Sequence, residues 1–285
     1  MPSRRFWPTL VVIALLSGCA AGAATSTKGA SEIPPPTAEA LAVQFPFDSY
    51  LLNDSETQLT YQATDHLIRP CMRKAGYKWA EIETPSVDDR WRNRLHYGVV
   101  EPLVAERFGY HSPADLLASP GVRDVLDAMK ERDAQLSSTA RESEQGCRKE
   151  AGARLTRNAK VSFTKLNNLK SQTYEAAQHD PAVRTAFRQW SACMKKRGHS
   201  YGTPVDAGND RHWFAKDSST ASGEEKKTAI DDVRCKEKNG LLALWFGTEK
   251  RLEQEAIRKN STYLSQVKRA NEQYLVNSRQ ALKGS

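Results

Sequence analysis

The residues with the most chemistry to offer in this chain are cysteines, and Cys71, Cys147, Cys193 and Cys235 each stand alone in the sequence. A thiolate can ligate a metal, act as a nucleophile or pair with a second thiol. A zinc site wants ligands in closely spaced pairs, which none of these cysteines has. Disulfide formation fits an even set in an oxidising compartment, and four cysteines allow three pairings. An internal repeat chooses among them. Cys71-Met72-Arg73-Lys74-Ala75-Gly76 recurs as Cys193-Met194-Lys195-Lys196-Arg197-Gly198, with Trp79 and Tyr201 three residues beyond each glycine. Each copy is answered by one downstream cysteine in a basic setting, Gly146-Cys147-Arg148-Lys149 and Arg234-Cys235-Lys236. Equivalent bonds in the two repeats are Cys71–Cys147 and Cys193–Cys235. Each closes a loop long enough to stabilise the fold by roughly 4 kcal/mol on the chain-entropy argument.

Catalytic chemistry is not signalled. A Gly-x-Ser-x-Gly elbow, a His-Glu-x-x-His helix, a phosphate-cradling loop and a dinucleotide fingerprint are all missing, and none of the six histidines has another at ligand spacing. Asp88-Asp89 and Asp231-Asp232 are adjacent pairs, so their side chains diverge rather than form an acid/base couple. The reading is of a protein that is not an enzyme and needs no metal or cofactor. Binding has better candidates. Aromatic residues crowd the turn-rich stretch from Thr84 to Pro120, and a polar loop carries His212-Trp213-Phe214. Trp91, Tyr97, Tyr110, His111, His212 and Trp213 are the candidate ligand-contacting residues. The competing reading of the same side chains is packing against neighbouring helices.

The elements that must position these residues read as helices throughout. Asn53-Asp54-Ser55 offers N-caps, with Gln58 at capping-box distance from Ser55, and Leu59, Ala63, Leu67 and Cys71 share one face up to a stop at Gly76. Pro70 is expected to kink that helix. From about Lys130 to Gln178 no proline intervenes, which predicts one long helix with a narrow apolar stripe. Asp180-Pro181 opens the next helix, with Val183, Ala186, Phe187, Trp190 and Met194 on its buried face. Ser222 and Glu225 open the last segment, apolar through Ile230, Val233, Leu241, Leu244 and Trp245, broken or bent near Gly240 and Gly247, and near-heptad through Leu252, Tyr263 and Tyr274. The fold class is therefore all-α: two disulfide-clamped helical repeats with two long helices, bundle-like.

The amino terminus argues for export. Arg4 and Arg5 precede an apolar run too short to span a bilayer, ending at Leu16-Ser17-Gly18-Cys19. This tetrapeptide resembles the lipobox of bacterial lipoproteins, which implies that Cys19 becomes the lipidated first residue, carrying palmitate-type acyl chains. Two chains suffice for stable anchoring. The expected organisation is a signal peptide over 1–18, a flexible tether over 19–40 ending in Pro34-Pro35-Pro36, a first repeat over 41–178 and a second over 179–285. Loss of Arg4 and Arg5 leaves the net charge of +8 at about +6. The basic runs Arg69 to Lys74, Lys195 to Arg197 and Lys226-Lys227 suit anionic lipid or wall polymers, or simply solvated helix faces, while export argues against nucleic acid.

The spacing Asp180-Pro181-Ala182-Val183 to Trp190-Ser191-Ala192-Cys193-Met194, with Asp232-Val233-Arg234-Cys235-Lys236, Tyr97-Gly98 and Phe108-Gly109-Tyr110-His111, resembles a group of secreted actinobacterial lipoproteins built on a duplicated Trp-x-x-Cys-Met and Asp-x-x-Cys helical repeat. The resemblance implies an extracytoplasmic, membrane-anchored location and carries no activity with it. The first copy has Pro70 before its cysteine and no Trp three residues upstream, so it is the more diverged. The functional expectation is a cell-surface lipoprotein acting as a non-enzymatic binding or accessory subunit of an envelope complex, reaching a partner through its C-terminal helix. The alternative is an extracytoplasmic receptor for a small ligand held by the loop aromatics.

Overall fold

The two cysteine repeats end their helices in the same way. In the first, Gly76 takes φ +87°, its N–H reaches Arg73 O at 3.1 Å, and Tyr77 N donates to Met72 O at 2.9 Å. In the second, Gly198 takes φ +91°, Gly198 N donates to Lys195 O at 3.1 Å and His199 N to Met194 O at 3.0 Å. This paired bond set is the Schellman stop, and its left-handed residue is why both copies need glycine. Met72 and Met194, one residue past each cysteine, are fully buried.

The computed structural model describes residues 33–84, 89–118, 120–214 and 220–283. Cys19, the apolar run before it and Asp88 lie outside the described residues. Among those described, eleven α-helices follow in order: α1 Ala38–Leu41, α2 Asp54–Lys74, α3 Pro102–Phe108, α4 Pro120–Ala134, α5 Ser138–Leu155, α6 Thr164–His179, α7 Pro181–Lys195, α8 Pro204–Gly208, α9 Gly223–Lys238, α10 Leu241–Lys259 and α11 Ser261–Lys283. Short 3₁₀ turns lie between some of them, and no strand occurs among the described residues. The all-α, bundle-like class is what the sequence predicted.

Both disulfides are formed as the repeat requires. Cys71–Cys147 joins α2 to α5, and Cys193–Cys235 joins α7 to α9. Around the first bond, Ala63, Ile68, Met72, Trp79, Ala151 and Leu155 make one apolar cluster. Around the second, Trp190, Met194, Val233, Leu241 and Trp245 belong to a larger one that also takes residues 97–116. A third, smaller cluster gathers Phe47, Leu166, Leu264 and Val267. The two repeats share these clusters. α11 packs on α2 and α5 of the first repeat, and α3 packs on α9 of the second. Ile33–Ser285 is accordingly one compact unit and not two bodies divided at residue 179.

Several local expectations are corrected. α2 holds Pro70 inside it, as expected, but its capping box is Asn53 with Glu56 and not Ser55 with Gln58: Glu56 N donates to Asn53 Oδ1 at 2.7 Å and Asn53 N to Glu56 Oε2 at 3.0 Å. The single helix expected over 130–178 is three helices. Ser137 ends the first by capping α5, and Asn158, at φ +61°, turns the chain after α5. Ser and Asn favour such ends because their side chains bond to nearby backbone groups. The tether expected over 19–40 gives way to folded chain by Ile33: Pro34 is buried and its carbonyl accepts from Arg94 Nη2 at 2.7 Å.

Candidate functional site

The loop aromatics chosen from the sequence converge, but mostly inward. Trp91, Tyr97, Tyr110 and Trp213 are all less than 10% exposed, His111 is partly buried, and His212 is exposed. Tyr110 and Trp213 stack with ring centroids 6.0 Å apart, and Trp213 Nε1 donates to Ala207 O at 2.8 Å. Trp91 lies beneath the guanidiniums of Arg94 and Arg123. His212 edges against Trp213, and its Nε2 stands 3.9 Å from Glu224. The six do not line one open pocket. Tyr97 and Tyr110 do border a cleft of about 300 Å³, together with His96, Ser112, Tyr174 and Asn209. Their hydroxyls are already engaged, Tyr97 with Glu249 at 2.8 Å and Tyr110 with Asp232 at 3.3 Å. Burial and those carboxylates push both phenols far above their usual range, so they act as fixed donors.

Four histidine–carboxylate contacts lie among the described residues in this half of the molecule, of which the exposed pair His212–Glu224 is the longest at 3.9 Å. His96 Nε2 is 2.9 Å from Glu249, His111 Nδ1 is 2.8 Å from Glu225, and His199 Nε2 is 3.0 Å from Asp231. Each resembles the base–orienter half of a catalytic triad, so the decisive question is whether a nucleophile completes it. The nearest approach is Thr228 Oγ1, 3.4 Å from His199 Nδ1, but that hydroxyl is buried and donates to Glu224 O at 2.9 Å. Glu225 is clasped instead: Tyr110 N and His111 N donate to its Oε1 at 2.6 and 3.0 Å. These pairs fasten loops to α9 and α10.

The adjacent Asp231 and Asp232 diverge as a helix requires. Burial raises the Asp231 carboxyl, but His199, Lys227 and Arg197 outweigh it and hold it below its ordinary value. Asp232 is fully buried and takes Trp190 Nε1 at 2.9 Å and Lys236 Nζ at 3.0 Å; burial pushes its carboxyl upward against these partners. Lys236 is itself 4% exposed and also donates to Val99 O at 2.8 Å and Tyr97 O at 3.3 Å. The Asp-x-x-Cys-Lys stretch of the second repeat is thus a buried polar hub. Among the described residues no group of three or more His, Cys, Asp or Glu could hold a metal, and no described helix is long and apolar enough to cross a membrane.

Another concavity lies elsewhere. A groove of about 600 Å³ opens between α1, the start of α3 and the start of α10, within the size range of small-molecule sites. Val43, Val100, Pro102, Leu242, Ala243 and Phe246 supply its apolar lining. Thr37, Glu39, Lys236 and Glu237 border it. Sequence reasoning did not find this site. Its one signal was the run Leu241 to Phe246, apolar on every side, of which Leu241 and Trp245 are buried in the core and Leu242 and Phe246 pack against it only in part.

The C-terminal stripe is occupied within the chain: Leu252 packs on the large cluster, Tyr263 on the third and Tyr274 on the cluster around Cys71. Compared with protein families, with curated proteins and with solved structures, the chain has no match.

Proposed function

We propose that this chain is an extracytoplasmic lipoprotein, anchored through Cys19, that acts by binding rather than catalysis, as a binding or accessory subunit at the cell envelope. The observation that carries it is the apolar groove at the point where the folded unit begins. The chain leaves Cys19 and enters the folded unit at Ile33, and Thr37 and Glu39 already border the groove. The two disulfides suit an oxidising compartment. The groove supports a ligand-holding role better than the loop aromatics, which are largely core, or the C-terminal stripe, which packs on the chain's own clusters.

Two measurements test this reading. Cys19→Ser is expected to move the protein from the membrane fraction to the medium, and unchanged retention would reject the anchor. A photoreactive residue in place of Ala243, illuminated in living cells, is expected to leave an adduct on the chain. A small adduct supports a ligand, a protein adduct supports an accessory subunit, and no adduct in repeated trials rejects the groove as the binding face.

A further inference from the structure

The groove carries more chemistry than its apolar walls, and the identity of its occupant rests on the groove being the binding face of the protein. Helices that are apolar on all sides are normally buried on all sides. The first two turns of α10 depart from that rule: Leu241 and Trp245 are buried, while Leu242 and Phe246, partly buried against the same cluster, and the exposed Ala243 line the groove. The apolar surface they leave open suits an apolar ligand. The volume, about 600 Å³, suits one small molecule better than a protein surface, which would need a broad contact area.

The charges bordering the groove narrow the class. Lys236 has its three donor positions spent on Asp232, Val99 O and Tyr97 O, so it offers no cation to a ligand. Glu39 and Glu237 are exposed at the rim, and no described residue pairs with either carboxylate. Lys250 is engaged over the Phe246 ring at 5.5 Å and does not line the groove. The carbonyl end of α9 and the amide end of α10 meet at Gly240, so their dipoles largely cancel and the side chains set the sign. We infer that the groove holds a single-chain cationic amphiphile taken from a lipid surface, its chain lying on Val100, Leu242 and Phe246 and its amine meeting Glu39 and Glu237.

The test uses the chain from Ala20 onward, whose residues 33–285 form one compact unit with their own apolar clusters. It is mixed with phosphatidylcholine vesicles doped with either octadecylamine or octadecanoate, the vesicles are sedimented, and the amphiphile left in solution with the protein is measured. The expected result is about one octadecylamine per chain and at least a tenfold smaller yield of octadecanoate. A basic protein acting through its net charge alone would prefer the anion, so the direction is informative. Ala243→Trp, an exposed position that tolerates a large side chain, is expected to abolish extraction with the melting temperature unchanged. Glu39→Gln with Glu237→Gln is expected to erase the preference while leaving the apolar contribution. Equal extraction of the two amphiphiles, a preference for octadecanoate, no extraction of either, or full extraction by Ala243→Trp would each overturn the inference. None of these outcomes bears on the lipid anchor, which Cys19→Ser tests separately.

Discussion

At the scale of single residues, Gly109 has the least room for a side chain among the described glycines. It sits at φ +56°, and a Cβ built on it would lie 2.7 Å from Glu225 Oε1 and 2.9 Å from Ala221 Cβ. Glu225 cannot retreat cheaply, because Tyr110 N, His111 N and the His111 ring all hold it. Gly109→Ala is therefore expected to cost roughly 2–3 kcal/mol, from backbone strain together with displacement of a buried carboxylate, read as a lowered midpoint in urea unfolding. The Phe108-Gly109-Tyr110-His111 stretch was visible in the sequence as a marked cluster, yet its role as a clasp was not. Nothing in spacing says that the N3 carboxylate of α9, nominally half of a capping box with Ser222, is diverted to another turn. Asp232 belongs to the same scale. Asp232→Ala leaves the Lys236 ammonium buried and unpaired, and is expected to cost roughly 3–5 kcal/mol.

At the scale of elements, α10 carries two buried carboxylates one turn apart, Glu249 and Glu253, each about 1% exposed. Phe47 N donates to Glu253 Oε2 at 2.8 Å. Burial, with the negative charges of Glu249 and of Asp48 on the 3₁₀ turn opposite, raises Glu253 to about 8, while Phe47 N and Lys170 of α6 pull the other way. The folded state thus holds a proton that the unfolded chain releases near its ordinary value of 4.5. Its contribution to stability is full below the unfolded value and is lost as pH rises towards 8. Glu253→Gln keeps an acceptor for Phe47 N and removes the titration. It is expected to match the native protein near pH 5 and to exceed it by roughly 2 kcal/mol at pH 9, after discounting for solvent penetration. Identical pH dependence of the two melting temperatures would reject this. Where elements start and stop was legible when the stop was a glycine with positive φ, as at Gly76 and Gly198. It was not legible at Ser137 and Asn158, whose capping competes with continued helix on equal terms, nor at the groove, which is assembled from segments far apart in sequence.

At the scale of the whole molecule, the duplication explains the parts better than their assembly. Two repeats with matched disulfides and matched helix stops suggest two bodies, but α11 returns to the first repeat and α3 leans on the second. Long-range packing of this kind leaves no local trace in composition, which is why residue 179 read as a boundary. It has a measurable consequence. The bonds close 76 and 42 residues, so removing either cross-link releases roughly 4 kcal/mol of loop-closure entropy to the unfolded chain, with only about half a kcal/mol between them. If the repeats were separate bodies, opening Cys193–Cys235 would lower the melting of the second half and leave the first half untouched. Because they share their clusters, the Cys71→Ala/Cys147→Ala and Cys193→Ala/Cys235→Ala variants are each expected to unfold in one cooperative transition at a reduced midpoint, with similar losses for the two. Two resolved transitions in either variant, seen by calorimetry and by a tryptophan signal that does not coincide with the helical one, would show that the halves fold independently and that α11 does not bind them into one unit.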